Sequence, residues 1–432
     1  VSAPSTAPAP RRILLVDADA FFVAVARQED PAGAGRTARL IVGGRPGSRG
    51  VVCSASYECR AFGVRSAMPI ARALQLCPDA LAVPVPRAAC VRKSREIAAV
   101  LHRFAPVVQA SSIDEWYLDL SGTESLYQRE PLAETAQRIR EAVREATGLP
   151  VSIGGGTSRL VAKMAVEEAK PSRGASGVHC VPPGAEAAYL ARFALADLPM
   201  IGPRFAERLD RAGLRWVHEA QAAGREPLIR ALGERAGAWL HDRVHGADPT
   251  PVEPRAAQKS ISRESTFAHN LDNEALLERE LLRLAVRVAS DLRREDGQAR
   301  TVTVTLRDHR FHTRSAQRSL ALPITSDRAV FRVSRQLLRK LRQANAAPVR
   351  RLGIALSRFE GRHTDAAQLG LFDDAVGAPS GAEPALVEEP RDRALAAAVD
   401  RIRARFGAGA ILPGELLDRR RDPGPQVEAD PT

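Results

Sequence analysis

Two short acidic segments stand in apolar, strand-like surroundings. Ile13-Leu14-Leu15-Val16 runs directly into Asp17-Ala18-Asp19-Ala20-Phe21-Phe22, and Ser111-Ser112-Ile113-Asp114-Glu115 runs directly into Trp116-Tyr117-Leu118-Asp119-Leu120. Burying a carboxylate is costly unless a cation or hydrogen-bond donors compensate it. Two such clusters at the ends of core strands, about a hundred residues apart, point to a single site for divalent metal. Hard oxygen donors without a neighbouring His or Cys favour Mg²⁺, and two such ions suit phosphoryl or nucleotidyl transfer. On the residues alone a second reading stays open, in which Asp17 caps a helix starting near Ala20 while Asp114 and Glu115 belong to a turn.

Other candidate chemistry is thinner. Gly154-Gly155-Gly156-Thr157 lacks the Gly-Lys-[Ser/Thr] that completes a P-loop, which removes an NTPase reading. Cys53, Cys59, Cys77, Cys90 and Cys180 form no CxxC pair, so they read as reduced thiols of a cytosolic protein rather than a zinc site or disulfide framework. No run of about 18 apolar residues is present, so no membrane span is expected.

The elements that must position the acids follow from hydrophobic period. Strands are expected at 12–16, 106–110, 115–119 and 150–154, and helices at 20–29, 87–104, 129–147 and 158–168. An insertion over 31–85 carries strands at 39–42 and 50–54 and a short helix at 69–76. That alternation predicts an α/β layer domain. From 176 to 248 the pattern turns helical, and Asp248-Pro249 through Pro254-Arg255 reads as a Pro-rich tether. Beyond it, strand 257–263, helix 272–295, strands 301–306 and 314–322, helix 326–345 and strand 349–357 give a β-α-β-β-α-β order. Four strands with two helices on one face are the expected result. Residues 1–10 read as a disordered leader. Residues 361–432 read as an Ala-, Pro- and charge-rich tail with islands at Gln368–Phe372 and Leu395–Phe406.

The net charge of +12 is not spread evenly. Residues 255–362 hold 23 Lys and Arg against 11 Asp and Glu, so this quarter of the chain carries the whole excess. Such a concentration predicts a surface for a phosphate backbone, with Arg307, Arg310, Arg314, Arg318, Arg350 and Arg351 on a sheet face or edge. Arginine itself carries little information, because 58 of the 63 basic residues are Arg. The five lysines are more telling, and two of them, Lys163 and Lys170, fall within one ten-residue segment.

Four segments occur in an order that resembles one known family. They are Val16–Phe22 (VDADAFF), Ser54–Pro69 (SASYECRAFGVRSAMP), Ser111–Glu115 (SSIDE), and Ala162-Lys163 through Ala169-Lys170-Pro171. Together they resemble the motif set of Y-family DNA polymerases, most nearly the bacterial DNA polymerase IV (DinB) branch, over roughly residues 11–360. The resemblance implies a multidomain right-hand polymerase. A ferredoxin-like palm would comprise 11–30 and 86–175, with small fingers at 31–85 and a helical thumb at 176–248 containing a helix-hairpin-helix. A linker at 249–256, a βαββαβ little finger at 257–360 and a tail at 361–432 would complete it.

It further implies template-directed, low-fidelity synthesis past damaged bases on primer-template DNA, using dNTPs and two Mg²⁺ ions. Asp17, Asp114 and Glu115 would be the catalytic metal ligands, completed by the Ala18 carbonyl, with Asp19 outside the direct ligand set. Tyr57, Arg60 and Lys170 would bind the triphosphate with Ser54 as a further donor, and Phe22 would exclude ribonucleotides by standing under the sugar. Gln368, Leu369, Leu371 and Phe372 resemble the peptide that grips the sliding clamp, the β subunit of the replicase. The protein is expected to be a cytoplasmic monomer. Two positions depart from the family pattern: Trp116 stands where a small residue is usual, and Met200 where the hairpin usually has Gly. A non-catalytic repair scaffold and a nucleotide cyclase are the competing readings; the intact acidic triad argues against the first, and the hairpin and basic C-terminal sheet against the second.

Overall fold

Strand β1 (Ile13–Ala18) is buried along its whole length, and the N-terminal half of the molecule is layered around it. The computed structural model describes residues 10–128, 130–254, 258–360, 388–407 and 409–416, and the chain divides into two compact units between Ala256 and Ala257. After β1 the first unit continues with α1 (Phe21–Glu29), β2 (Leu40–Gly43), β3 (Val52–Ala55), α2 (Tyr57–Ala61), α3 (Ile70–Leu76) and β4 (Leu81–Val83). Then come α4 (Arg87–Leu101), β5 (Val107–Ala110), β6 (Glu115–Asp119), α5 (Leu132–Thr147), β7 (Val151–Gly156), α6 (Arg159–Ala169) and β8 (Val178–Cys180). Five short helices close the unit: α7 (Glu186–Leu190), α8 (Pro203–Arg211), α9 (Val217–Ala223), α10 (Arg225–Leu232) and α11 (Glu234–Val244).

The main sheet has the order β5-β6-β1-β7-β8, with β1 antiparallel to both β6 and β7. Side chains of a strand alternate between faces. Leu14, Val16 and Ala18 therefore join Ile97 and Leu101 of α4 and Ile139 and Val143 of α5, while Ile13 and Leu15 meet Ala162 and Val166 of α6. Asp17 continues the series that faces α6. The glycine run on β7 sets how close α6 lies: a Cβ on Gly154 would come within 2.2 Å of the Val166 nitrogen and 2.3 Å of the Ala162 oxygen. It is a packing groove for a helix.

Several elements differ from the sequence expectation. Val178–Cys180 lies in the stretch read as helical, yet pairs parallel with β7, because Ile153 and Gly155 leave an open edge beside it. The insertion gains α2 and β4, both too short to show a period, and its sheet has the order β3-β2-β4. In the helix-hairpin-helix region the limb before the turn is only a 3₁₀ turn, Leu195–Asp197, and Gly202-Pro203 starts α8.

The second unit contains β9 (Ser260–Leu271), α12 (Glu274–Arg294), β10 (Gln298–Asp308), β11 (Thr313–Ile324), α13 (Asp327–Ala344), β12 (Val349–Glu360) and α14 (Pro390–Phe406). Its four-stranded sheet has the order β11-β10-β12-β9, and α12 and α13 share one core with Val302, Val304, Leu352 and Ile354. The strands run longer than their apolar patches, since β9 extends to Leu271.

The basic residues are not spread over the open sheet face. Register places Thr303 and Thr305 beside Gln317 and Ser315 on one side, and beside Ala355 and Gly353 on the other, a surface of uncharged and mostly small residues. Arg307 and Arg351 are direct partners at one end of it. Arg314 and Arg318 lie opposite the core residues Leu306 and Val302, hence toward the helix layer, and Arg318 donates to Gln336 of α13 at 2.8 Å. Beyond the sheet, the tail expected at 361–432 contains α14, which docks on the helix layer. Arg293 of α12 donates to Asp400 at 2.6 Å and to Asp327 at 2.8 Å, and buried Asp392 meets Arg328 at 3.2 Å.

Candidate active site

Asp17 and Glu115 are direct cross-strand partners on β1 and β6, so both carboxylates project from the sheet face that α6 covers. Two lysines of the α6 segment meet them. The Lys170 ammonium lies 3.3 Å from Asp17 Oδ2 and 2.9 Å from Glu167, and Lys163 donates to Glu115 Oε1. Burial pushes the Asp17 carboxyl up to about 7; Lys170 opposes this and the neighbouring Glu115 charge adds to it. Both ammonium groups pay a desolvation cost, yet the carboxylates beside them outweigh it and raise the lysines' proton affinity above the usual value. The site is a close-set ionic quartet on the rim of the main sheet.

Asp114 arrives from the β5–β6 turn. Its carbonyl accepts from the Ala18 N–H at 2.9 Å, which seats the turn against the end of β1, and its carboxylate accepts from Ser112 Oγ. Asp17, Ala18 and Asp114 then line one wall of a cleft of about 440 Å³, with Asp19, Phe22 and Lys170 nearby. Glu115 sits beside Asp17 just outside that wall. Among the described residues no three His, Cys, Asp or Glu side chains already converge on one point.

The reading of Asp17 as a helix cap does not hold. Helix α1 is preceded by Ala20 in the left-handed region (φ 45°) with no side-chain cap, so neither Asp17 nor Asp19 plays that part. Asp19 accepts from Ser152 of β7 at 2.8 Å through Oδ1, while its buried Oδ2 has no partner among the described residues; burial raises its pKa despite that bond. Phe21 and Phe22 pack edge to face with ring centres 5.5 Å apart. Phe21 belongs to the core at 2% exposure and Phe22 stays half-buried at the cleft.

The opposite wall comes from β3 and α2. Ser56 caps α2 by accepting from Cys59 N–H, and the helix sets Tyr57 and Arg60 three residues apart on one side. The Arg60 guanidinium lies 4.9 Å from the Tyr57 ring centre and donates to the Ala55 carbonyl at 2.9 Å. Ser54 is buried and lines the cleft, together with Cys53, Arg65 and Ser66, which sequence reasoning did not single out. Lys163 was likewise without a role; its spacing of two helical turns from Lys170 was the available signal. Trp116 is 1% exposed and opposite Val16, on the sheet face away from the carboxylates.

Comparison with known proteins decides the family. Residues 16–167 match the impB/mucB/samB family and residues 258–371 match the impB/mucB/samB family C-terminal domain. DNA polymerase IV of Caulobacter vibrioides is 37% identical over 408 residues, covering 94% of each chain. DNA polymerase IV of Halorhodospira halophila is 38% identical over 351 residues, covering 81% of this chain and 96% of the relative. The chain belongs to the Y family of DNA polymerases. Within it the resemblance is to the DNA polymerase IV branch, and the protein is a DNA-directed DNA polymerase.

Solved structures agree on the fold. A Y-family DNA polymerase chimera, Dbh-Dpo4(243-245)-Dbh, superposes with a TM-score of 0.71 at 24% identity, covering 80% of this chain and 98% of its own. An insertion ternary complex of Dbh DNA polymerase superposes with a TM-score of 0.56 at the same identity and coverage. The clamp-like peptide Gln368, Leu369, Leu371 and Phe372 lies outside the described residues.

Proposed function

We propose that this polymerase carries out template-directed, low-fidelity synthesis past damaged bases by nucleotidyl transfer from dNTPs to a primer 3′-hydroxyl, with two Mg²⁺ ions. The observation that carries the reading is the cleft itself. Its one wall is acidic, with Asp17, the Ala18 carbonyl and Asp114, and its other wall holds the donors Tyr57, Arg60 and Ser54, with Lys170 between. A triphosphate laid across it meets cations and donors on one side and metal-binding oxygens on the other.

The donor set suits the ions. All the groups are hard oxygens, and buried Asp17 is undercompensated by Lys170 alone, which is why its proton affinity is raised. Asp17, Asp114, Glu115 and the Ala18 carbonyl would hold two Mg²⁺, which when bound would lower the barrier by offsetting charge on the entering and leaving oxygens. The remaining work falls to the chain. Arg60 can fork two phosphate oxygens and Lys170 can exchange its Asp17 contact for a phosphate, acting as a point charge. Tyr57 and Ser54 donate hydroxyl hydrogen bonds. Phe22 presents a half-buried ring where a 2′-hydroxyl would stand, and Phe21 behind it keeps the ring from yielding.

Low fidelity is supported by the small side chains of the fingers wall. Cys53, Ser54 and Ser66 offer little bulk with which to reject a misshapen base pair. The little finger presents a face of uncharged and mostly small residues ending in Arg307 and Arg351, suited to groups along a DNA backbone. We further propose a cytoplasmic monomer that grips the sliding clamp through residues 368–372; no helix among the described residues is long and apolar enough to cross a membrane. Primer extension with Mg²⁺ on matched templates, with and without a central abasic site, tests the reading. Extension across the lesion is expected, and a complete stop one base before it on every template would remove the bypass role.

A further inference from the structure

Lys163 lies within α6 and Lys170 is the extended residue just past its end, and the two do different things. Lys170 lines the cleft and has two carboxylate partners, Asp17 and Glu167. Lys163 is set back from the cleft and, among the described residues, hydrogen-bonds only to Glu115. Its side chain is partly enclosed, at 28% exposure, and the Glu115 side chain it meets is 24% exposed. One oxygen of Glu115, Oε1, is thus committed to a cation. The other, Oε2, carries no hydrogen bond among the described residues and is the oxygen left to bind metal.

We propose that Lys163 is a positioning residue that restricts Glu115 to one-oxygen ligation and so biases the site against Ca²⁺. The inference rests on the polymerase reading of the acidic triad. Mg²⁺ and Mn²⁺ take compact octahedral shells and accept one oxygen per carboxylate, whereas Ca²⁺ takes six to eight oxygens and readily chelates a carboxylate through both. A carboxylate whose Oε1 already gives one lone pair and part of its charge to an ammonium offers a weaker second tooth. Removing the lock frees Glu115 to turn and chelate, which improves the site for Ca²⁺ more than for the smaller ions. A merely structural lysine would instead affect every ion alike.

The test compares the parent with K163M and K163R. Each is assembled with a 3′-dideoxy-terminated primer-template and the next dNTP, so that no chemistry occurs. Mn²⁺ binding is followed by its paramagnetic resonance signal and Ca²⁺ affinity by displacement of Mn²⁺. The expected result is a Ca²⁺-to-Mn²⁺ affinity ratio raised about tenfold or more in K163M and held within about threefold of the parent in K163R. An unchanged ratio in K163M, or equal weakening of both ions, overturns the proposal. Should K163M not fold, K163A is read in the same way. Mg²⁺-dependent primer extension by the parent checks the polymerase reading separately, so an active parent with an unmoved ratio removes only the role of Lys163.

Discussion

Gly154 of the five-stranded sheet lies against Val166 of α6, where a Cβ on the glycine would lie 2.2 Å from the valine nitrogen. That contact, some distance from the carboxylates, determines whether Lys163 and Lys170 can reach Glu115 and Asp17.

G154A is therefore expected to push α6 off the sheet. Overpacking of this kind costs about 1–3 kcal/mol. The loss should appear as a lower urea midpoint, and the KM for dNTP should rise by more than the kcat falls, because Lys170 is displaced from the triphosphate. A variant with parental stability and KM would show that α6 can shift without consequence.

D114A should reduce primer extension by about a thousandfold or more while primer-template affinity stays within about twofold. Metal ligation acts on the transition state, whereas DNA affinity comes from dispersed backbone contacts. Anisotropy titration and single-turnover extension separate the two. Near-parental extension would remove Asp114 from the ligand set.

Asp17 gives a prediction whose sign depends on pH. Its carboxyl is raised from 3.8 to about 7, so between those values the folded chain holds more proton than the unfolded one. Metal-free protein therefore gains stability from this group as the pH falls through that window, and ionised Asp17 is a liability at pH 8. In EDTA at pH 8, D17N should be more stable than the parent by roughly 1–3 kcal/mol, with the advantage gone near pH 4. Added Mg²⁺ should stabilise the parent and not D17N. Denaturation curves at the two pH values check both statements; a D17N variant that is less stable at pH 8 would contradict them.

The strands that carry the acids could be read from the chain because they are continuous apolar runs, and β1 is buried along its whole length. On the residues alone Asp17, Asp114 and Glu115 left a cap-and-turn reading open, and only the motif resemblance chose the metal-ligand expectation; the β-α-β-β-α-β order was legible because its helices carry strong amphipathic period. What escaped was short or tertiary. Helix α2 has five residues and no period, so its alignment of Tyr57 with Arg60 was visible only through motif resemblance. Strand β8 forms because β7 has a free edge, which three residues cannot announce. The basic sheet face was expected from counting arginines, but counting cannot assign faces, and register turns Arg314 and Arg318 toward the helices.

Met200 carries a strain that its sequence position foreshadowed. Its φ is 75° and its side chain is 80% exposed, so it bears the left-handed penalty without packing in return. M200G should raise stability by about 1 kcal/mol, and M200A, which keeps a Cβ, should not. Equal effects of the two in urea denaturation would place the cost in the Met side chain instead of the backbone.

Phe22 yields the sharpest functional prediction because its neighbour is a built-in control. The rings of Phe21 and Phe22 meet edge to face at 5.5 Å and both border the cleft, but Phe21 is 2% exposed whereas Phe22 is half-buried. Phe21 belongs to the core beside the five-stranded sheet. F22A should open space under the sugar, so that the preference for dNTP over rNTP, expressed as a ratio of kcat/KM, falls by about a hundredfold or more. Deoxynucleotide use should drop far less, since the carboxylates and the triphosphate donors are untouched. F21A should do something different, costing about 3–5 kcal/mol of stability through the cavity it leaves, with sugar selectivity retained in the fraction that folds. Steady-state incorporation of matched dNTP and rNTP by both variants, beside their melting curves, distinguishes a gate from a core residue. If F22A still rejects ribonucleotides as strongly as the parent, the half-buried ring is not what the sugar meets.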